Sequence, residues 1–246
     1  MAETAGTGRF ALCINGTKFA VSQNNGSYAG QYTGDIVSVD VWYHIVGTCD
    51  DSNNSTLYVD GKAYTETYST IGSSASDVTA IGTRLASTDT LFSGTIADVK
   101  YFNVQLSAAQ ALELYQNPEQ ILPTGVSVSA LERHYPLSDY DVSGSDSLDG
   151  LYVQDCGDDG VAGLCTGGLM EFSQPNIPQL GLRSSSSRIL FDGADDFVNL
   201  GDPAESQMGT DDFSVAYWAS VTGTAEAMVI SKHDGPSAYD GWRFGA

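Results

Sequence analysis

Aspartates are the residues of this sequence whose number and spacing could do chemistry. The chain of 246 residues has 31 acidic and 10 basic residues, a formal net charge of −21, and acidic pairs such as Asp195-Asp196 and Asp211-Asp212. Calcium prefers carboxylate and carbonyl oxygens, so the pattern is compatible with cation sites. It is also typical of a solvated acidic surface, and both interpretations stay open. The same charge predicts no nucleic-acid binding, because phosphates would be repelled.

The residues that hydrolytic enzymes use are not spaced for catalysis. Glycoside hydrolysis needs two carboxylates held a few ångströms apart, and no glutamate here lies in a Glu-x-Asp-x-x-Glu pattern. No serine occupies a Gly-x-Ser-x-Gly elbow, which is the motif of one class of nucleophilic hydrolases. His44 lies among alternating apolar residues, so we expect a packed side chain and not a general base. The sequence therefore predicts a protein that is not an enzyme.

Cysteines and tyrosines supply two further candidate sites. Cys156 and Cys165 flank a turn-rich segment and could close a small disulfide loop, with two thiols as the alternative. Four tyrosines in polar surroundings are candidate ligand-binding residues, because aromatic faces stack on sugar rings. The alternative is that they only cover strand surfaces. These tyrosines are Tyr28, Tyr32, Tyr64 and Tyr68.

The elements that must position these residues are short strands. In the segment 42–50, Trp42, His44 and Val46 alternate with Tyr43 and Ile45, which predicts a strand with apolar bulk on both faces. Asn15-Gly16 and Asp60-Gly61 are typical of tight hairpins. Ser107 and Gln110 predict a capping box at the start of a short helix that ends before Asn117-Pro118. The strand over 92–103 has Asp98 near its middle.

The chain divides into three parts by composition. Residues 123–186 contain prolines and Ser/Gly-rich runs, which predict a long irregular connector with short strands at 126–131 and 151–153. A second run of strand patterns follows from Ile189, including the segment 213–220 with apolar residues on both faces. No stretch is long and apolar enough to span a membrane, and the first residues resemble no signal peptide.

These segments resemble the laminin-G-like, or pentraxin-like, family of concanavalin A-like jelly rolls. The resemblance covers roughly residues 9–122 and 187–246, and it implies an all-β jelly-roll sandwich with one short helix. The segments that carry it are Leu190-Phe191-Asp192-Gly193-Ala194-Asp195-Asp196-Phe197-Val198, Phe213-Ser214-Val215-Ala216-Tyr217-Trp218, Trp42-Tyr43-His44-Ile45-Val46, Leu57-Tyr58-Val59-Asp60-Gly61 and Phe92-Ser93-Gly94-Thr95-Ile96-Ala97-Asp98-Val99.

The order of these segments differs from the order usual in the family. Residues 1–122 resemble the C-terminal half of the domain and residues 187–246 resemble the N-terminal half, so the halves are permuted around the connector 123–186. Three arrangements follow: closure within one chain, completion of a neighbouring copy by self-assembly, or one period of a tandem array. Exposed sheet edges would make isolated halves unfavourable.

The resemblance also implies a cation site. In the family fold the strand with Asp98 lies beside the strand with Asp192, so Asp98 with Asp192 or Asp195 and nearby carbonyls would form a calcium site. The alternative is that Asp98 accepts hydrogen bonds from backbone or Ser/Thr groups at a sheet margin. Calcium is the one cofactor that the sequence suggests.

Function follows from the resemblance more than from any motif. We expect a non-catalytic structural or binding module, located in a virion or outside the cell. The leading hypothesis is a phage tail, fibre or decoration protein with a surface-recognition role, whose partner is a glycan or another host-surface ligand. The alternative is a carbohydrate-binding adhesion module of a bacterial surface or secreted protein. Neither nucleic-acid binding nor membrane insertion is expected.

Overall fold

A computed structural model of the chain describes most of the two strand-rich segments and part of the region between them. The described residues are 10–15, 18–24, 28–32, 37–52, 54–65, 78–83, 91–137, 152–153, 155–157, 162–167, 189–201, 211–223, 227–233 and 243–245.

Short strands make up nearly all of the regular structure. The first eight are β1 (Phe10–Asn15), β2 (Lys18–Asn24), β3 (Tyr28–Tyr32), β4 (Trp42–Cys49), β5 (Ser55–Val59), β6 (Lys62–Thr65), β7 (Val78–Ile81) and β8 (Ser93–Phe102). A helix, α1 (Ala108–Gln116), and a 3-10 helix, Val128–Ala130, come next. The remaining strands are β9 (Leu131–Tyr135), β10 (Tyr152–Val153), β11 (Gly163–Thr166), β12 (Ile189–Asp192), β13 (Phe197–Gly201), β14 (Phe213–Val221), β15 (Ala227–His233) and β16 (Arg243–Gly245).

The strands form two antiparallel sheets that pack face to face. Sheet A has the order β10-β11-β13-β7-β15-β1-β2-β3, with β16 also paired to β15. Sheet B has the order β12-β8-β14-β4-β5-β6, with β9 also paired to β8. Side chains of both sheets meet in one core, among them Ile81 and Val229 from sheet A and Ile45 and Tyr217 from sheet B. The predicted fold class, an all-β jelly-roll sandwich with one short helix, is confirmed.

Strands from the end of the chain lie in the middle of both sheets. In sheet B, β14 pairs with β4 over Phe213–Ser220 and with β8 on its other side. In sheet A, β15 pairs with β7 and with β1. Every residue of β14 is buried, so removing it would expose both neighbours and the core beneath. In this structure, residues 189–245 therefore complete the sandwich of residues 10–135 within one chain.

The region expected to be an irregular connector contributes strands to both sheets. β9 pairs with the second half of β8, and β11 pairs with β13. The strand expected over 126–131 is instead a 3-10 helix, because the Ser127 hydroxyl accepts the Ser129 N–H at 3.3 Å and caps it. The strand begins only at Leu131. The short strand predicted at 151–153 is present as β10.

Several local predictions are confirmed. Ser107 and Gln110 form the capping box of α1, and the helix ends at the C-cap Asn117. Asp60 and Gly61 both have positive φ, at 51° and 76°, in the turn between β5 and β6, where Gly61 meets no Cβ penalty. Within the described residues, no helix has the length and apolar character that crossing a bilayer requires.

Candidate functional site

The face of sheet B that is turned away from the core carries an aromatic cluster. Tyr43 and Ile45 pack with the core between the sheets, whereas Val46 packs with α1 on the other side. Trp42 and His44 share that outer side with Val46, because side chains alternate along a strand. The alternation predicted for this strand is thus confirmed, and it places Trp42 and His44 on the side of sheet B that carries α1.

Four aromatic residues meet on this outer face. The His44 ring lies 5.0 Å from the Trp218 ring, and the Tyr115 ring lies 6.1 Å from Trp218 and 6.3 Å from His44, measured between centroids. Trp218 and His44 are buried, while Trp42 and Tyr115 are partly exposed and pack against the buried group. We call Trp42, His44, Tyr115 and Trp218 the outer aromatic cluster. Its solvent edge is formed by one indole and one phenol.

A β-bulge brings Asp98 to the same face. Along β14, Ala216 and Trp218 are two residues apart, whereas their partners on β8, Lys100 and Ala97, are three residues apart. Strand β8 therefore has one extra residue here, which is the definition of a bulge. Asp98 has φ +54°, and its N–H donates to the Pro136 carbonyl at 3.2 Å. The bulge thus re-aims the Asp98 side chain away from the regular strand pattern.

The Asp98 carboxylate is held by two cationic or polar side chains. Lys100 Nζ lies 2.5 Å from Asp98 Oδ2, and His134 Nε2 lies 2.8 Å from Asp98 Oδ1. Lys100 also donates to the Gln120 carbonyl at 3.2 Å. The Lys100 and His134 side chains are buried, whereas the Asp98 side chain is 24% exposed to solvent. We call Asp98, Lys100 and His134 the bulge triad.

Electrostatics fix the charge states on this face. Burial raises the pKa of the Asp98 carboxyl, but the Lys100 charge and the His134 hydrogen bond outweigh burial and lower that pKa to about 2. Burial lowers the pKa of His44 to about 3, and the nearby Lys100 charge acts in the same direction. At neutral pH the face therefore presents an ionised carboxylate beside a neutral imidazole.

A second polar group lies in the turn between β12 and β13. Ligand atoms of Asp192, Asp195 and Asp196 lie within 4.8 Å of one another. The Asp192 N–H donates to Asp196 Oδ2 at 2.9 Å, and the Ala194 N–H donates to Asp192 Oδ1 at 2.6 Å. We call the three aspartates the rim triad. Asp192 and Asp195 are exposed, but Asp196 is fully buried.

The expected site joining Asp98 to Asp192 is not formed. β12 and β8 do pair as expected, but in a register that places Asp192 opposite Ser93 and Ile189 opposite Ile96. From Ser93 to Asp98 is roughly 15 Å of strand, so Asp98 lies near the other end of β12. The alternative interpretation was that Asp98 accepts hydrogen bonds from backbone or Ser/Thr groups. In the structure, its carboxylate instead contacts the side chains of Lys100 and His134. Asp192 and Asp195 do come together, with Asp196 as a third member that the sequence analysis did not select.

The candidate tyrosines are only partly described. Tyr64 is half-buried, packs against the core, and has Lys62 Nζ 4.8 Å from its ring centroid. Tyr28 and Tyr32 are the end residues of β3, the last strand of sheet A, and their side chains lie outside the described part of the chain. Tyr68 lies outside the described residues altogether. A ligand-binding role for these four stays a prediction.

The expected disulfide is not formed in this structure. Cys165 lies on β11 and packs within the core, whereas Cys156 is exposed, and both are thiols. A side chain that faces the core from a strand cannot also reach a thiol on the solvent side without moving the backbone.

Sequence reasoning missed most of the outer face. Tyr115 and His134 were not selected, because nothing local relates them to Trp42 or Asp98. A usable signal was Tyr115 itself, a large aromatic in the last turn of the helix. The only sign of the bulge in the sequence was an acidic residue, Asp98, within an apolar run.

Comparison with known proteins identifies part of this architecture. Residues 2–111 match a laminin-G-type family model described as the concanavalin A-like lectin/glucanases superfamily. The match spans β1 to β8 and the start of α1, so it includes Trp42, His44, Asp98 and Lys100. No curated protein and no solved structure matched the chain. The family resemblance is therefore confirmed over this range, and the permuted order of the halves stays a prediction.

Proposed function

We propose that this chain, whose residues 2–111 belong to the concanavalin A-like lectin/glucanase superfamily, is a non-catalytic binding module that receives a glycan on the outer face of sheet B. One observation carries the proposal. The partly exposed rings of Trp42 and Tyr115 lie on a buried aromatic base beside the partly exposed Asp98 carboxylate.

This combination matches the chemistry of a sugar. Aromatic faces bind the C–H face of a sugar ring, and a carboxylate accepts hydrogen bonds from its hydroxyls. Trp42 and Tyr115 both pack against the buried cluster of Ala97 and Trp218, and the His44 ring stacks on Tyr115, so the rings are held in place before a ligand arrives. Less ordering entropy is then lost on binding.

The charge state of Asp98 supports binding without hydrolysis. A glycosidase needs a carboxylic acid that is protonated when it meets the substrate. The pKa of Asp98 is lowered to about 2, so this group would be ionised at neutral pH and could not donate a proton. Asp196, whose pKa burial raises to about 6, lies fully buried in the rim turn.

A glycan array followed by titration calorimetry tests the proposal. Trp42→Ala and Tyr115→Ala are each expected to weaken binding of the best saccharide by roughly 3- to 10-fold, the loss of one aromatic contact. Tyr64→Ala is the matched control, because Tyr64 is also half-buried but is held by Lys62. Loss of binding in Tyr64→Ala alone would move the site to the tyrosines selected from sequence. The absence of any saccharide hit, or release of reducing sugar from the ligand, would contradict the proposal.

We further propose that this module works as a surface-recognition component of a virion. The strongly acidic composition and the sandwich completed within a single chain support a protein that stays soluble and folded outside a cell. Neighbouring genes for capsid or tail proteins, and detection of the chain in purified particles, are the expected results. Genes for bacterial surface anchoring in that position would favour the adhesion module instead.

A further inference from the structure

We infer that the glycan site on the outer face of sheet B selects neutral saccharides against acidic ones, and that Asp98 is the residue that discriminates between them. The inference rests on the proposed glycan-binding function and names the class of sugar that the same site takes. Two observations carry it: the position of the Asp98 carboxylate, and the lack of an exposed cation beside it on the described part of this face.

Asp98 has a backbone conformation that is uncommon for a residue other than glycine. Its φ of +54° lies in the left-handed region, although the residue is in the middle of β8. Residues held in such sparsely populated regions typically cost about 1–3 kcal/mol and are concentrated at functional sites. The strain marks the Asp98 side chain as a candidate for function.

The ion pair between Asp98 and Lys100 presents its negative end to solvent. Lys100 Nζ lies 2.5 Å from Asp98 Oδ2, and the Lys100 side chain is 4% exposed whereas that of Asp98 is 24% exposed. Lys100 also donates to the Gln120 carbonyl at 3.2 Å, so the ammonium is held on the buried side of the pair. A ligand that reaches this pair therefore meets the carboxylate first.

Among the described residues of sheet B and α1, no other lysine or arginine is on the outer side. The basic residues of these elements are Lys62, Lys100 and Arg133. Lys62 lies opposite Val59, and Arg133 lies opposite Tyr101. Val59 and Tyr101 both pack in the core between the sheets. Because residues directly opposite each other on neighbouring strands share a face, Lys62 and Arg133 belong to the inner side.

The aromatic residues of the site add no positive charge at neutral pH. His44 is buried, with its ring centroid 5.0 Å from that of Trp218. Burial lowers the pKa of His44 to about 3, so its imidazole is neutral near pH 7. The other rings are two indoles and one phenol. A ligand carboxylate placed on these rings would therefore find no cation to pair with.

An acidic sugar is disfavoured on this face for two reasons. Its carboxylate would lose water without gaining a charged partner, and it would lie near the like charge of Asp98. A neutral sugar has hydroxyl groups that donate to the same Asp98 carboxylate. Specificity of this kind needs a repulsive element as well as an attractive one, and Asp98 supplies both.

Matched polysaccharide pairs, tested for binding to the purified chain, measure this selectivity. The members of each pair share a backbone and differ in the acid group: homogalacturonan with its methyl ester, and hyaluronan and alginate with their carboxyl-reduced forms. In each pair that binds, the neutral member is expected to bind about 5- to 10-fold more tightly than the acidic one. The methyl ester is larger than the acid, so exclusion by size predicts the opposite order for homogalacturonan.

Variants of Asp98 assign the selectivity to this residue. Asp98→Asn should reduce the ratio within each pair to less than about two-fold, and asparagine is well suited to the same φ. Asp98→Asn combined with Lys100→Gln should do the same. The double variant removes both charges of the pair together, which leaves no unpaired buried ammonium and no change in net charge, so it decides the matter if the single variant does not fold. Asp211→Asn, at an exposed aspartate outside this face, is the matched control and should keep the ratio.

The possible results separate the selectivity from the function on which it rests. Equal binding within each pair, tighter binding of the acidic members, or a ratio that survives in both Asp98 variants would overturn the inference and leave glycan binding standing. Binding of none of these polysaccharides, together with no hit on the glycan array, would overturn both.

Discussion

The Nε2 atom of His134 lies 2.8 Å from Oδ1 of Asp98, and this contact joins β9 to the bulge in β8. His134 on β9 lies directly opposite Lys100 on β8. The Asp98 carboxylate therefore contacts two side chains that are neighbours across this strand pair. The bulge is what makes the contact possible, because it turns Asp98 out of the regular alternation. The bulge triad therefore depends on the fold of both segments.

Asp98→Asn is expected to destabilise the protein by about 2–3 kcal/mol, because it leaves the Lys100 ammonium buried without its carboxylate. The asparagine keeps the size of the side chain and can still accept one hydrogen bond from His134. Urea unfolding at pH 7 measures the change.

Asp211→Asn is the control for this prediction. Asp211 is exposed, so its change in unfolding free energy should stay within about 0.5 kcal/mol. Equal effects from the two substitutions would show that the bulge triad contributes nothing to stability.

His44 should make the protein sensitive to acid. Burial lowers the pKa of His44 to about 3 in the folded state, with a contribution from Lys100, whereas the unfolded chain takes up a proton near pH 6.5. Below pH 6.5 the unfolded state therefore binds more protons, and stability falls as pH falls. Between pH 7 and 4.5 the loss due to His44 should be about 2–3 kcal/mol.

A variant comparison isolates this titration from others in the same range. His44→Phe should lose that much less stability on acidification than the wild type. Val46→Ala, at a buried residue that does not titrate on the same face, should lower stability but keep the wild-type pH dependence. The prediction fails if His44→Phe and the wild type lose stability in parallel.

Local and non-local features differ in how well the sequence predicts them. The capping box at Ser107 and Gln110 depends on residues three apart, and the alternation from Trp42 to Val46 depends on the period of a strand. The bulge at Asp98 depends on which residues of β14 lie opposite β8, more than 110 positions away in the sequence. The family resemblance predicted that β12 lies beside β8, and the two strands do pair, but it could not predict their register, which places Asp192 opposite Ser93 and away from Asp98.

The completed sandwich predicts a monomer. Because β14 and β15 pair with strands of the first segment, the purified chain should give a molar mass of 26.0 kDa by light scattering. It should also unfold in one cooperative transition, since residues of both segments pack together in the core between the sheets. Polymers that grow with concentration would instead indicate that the segments complete neighbouring copies.

Asp196 should destabilise the protein as pH rises. Burial raises its folded pKa to about 6, above the unfolded value near 3.9, so the folded state holds the proton longer and stability falls between about pH 4 and 6. In urea unfolding at a series of pH values, Asp196→Asn should gain up to about 3 kcal/mol relative to the wild type across this interval. A constant difference in unfolding free energy at every pH would contradict the raised pKa of Asp196.

The most direct test of the binding face uses the three tryptophans, Trp42, Trp218 and Trp242. Each indole N–H gives one signal in a proton–nitrogen correlation spectrum, and single Trp→Phe variants assign the three signals. On titration with the best saccharide from the array, the Trp42 signal is predicted to shift most and the Trp218 signal less, because Trp218 lies buried beneath the outer rings. A Trp42 signal that stays in place while other signals of the protein move would contradict glycan binding on the outer face of sheet B.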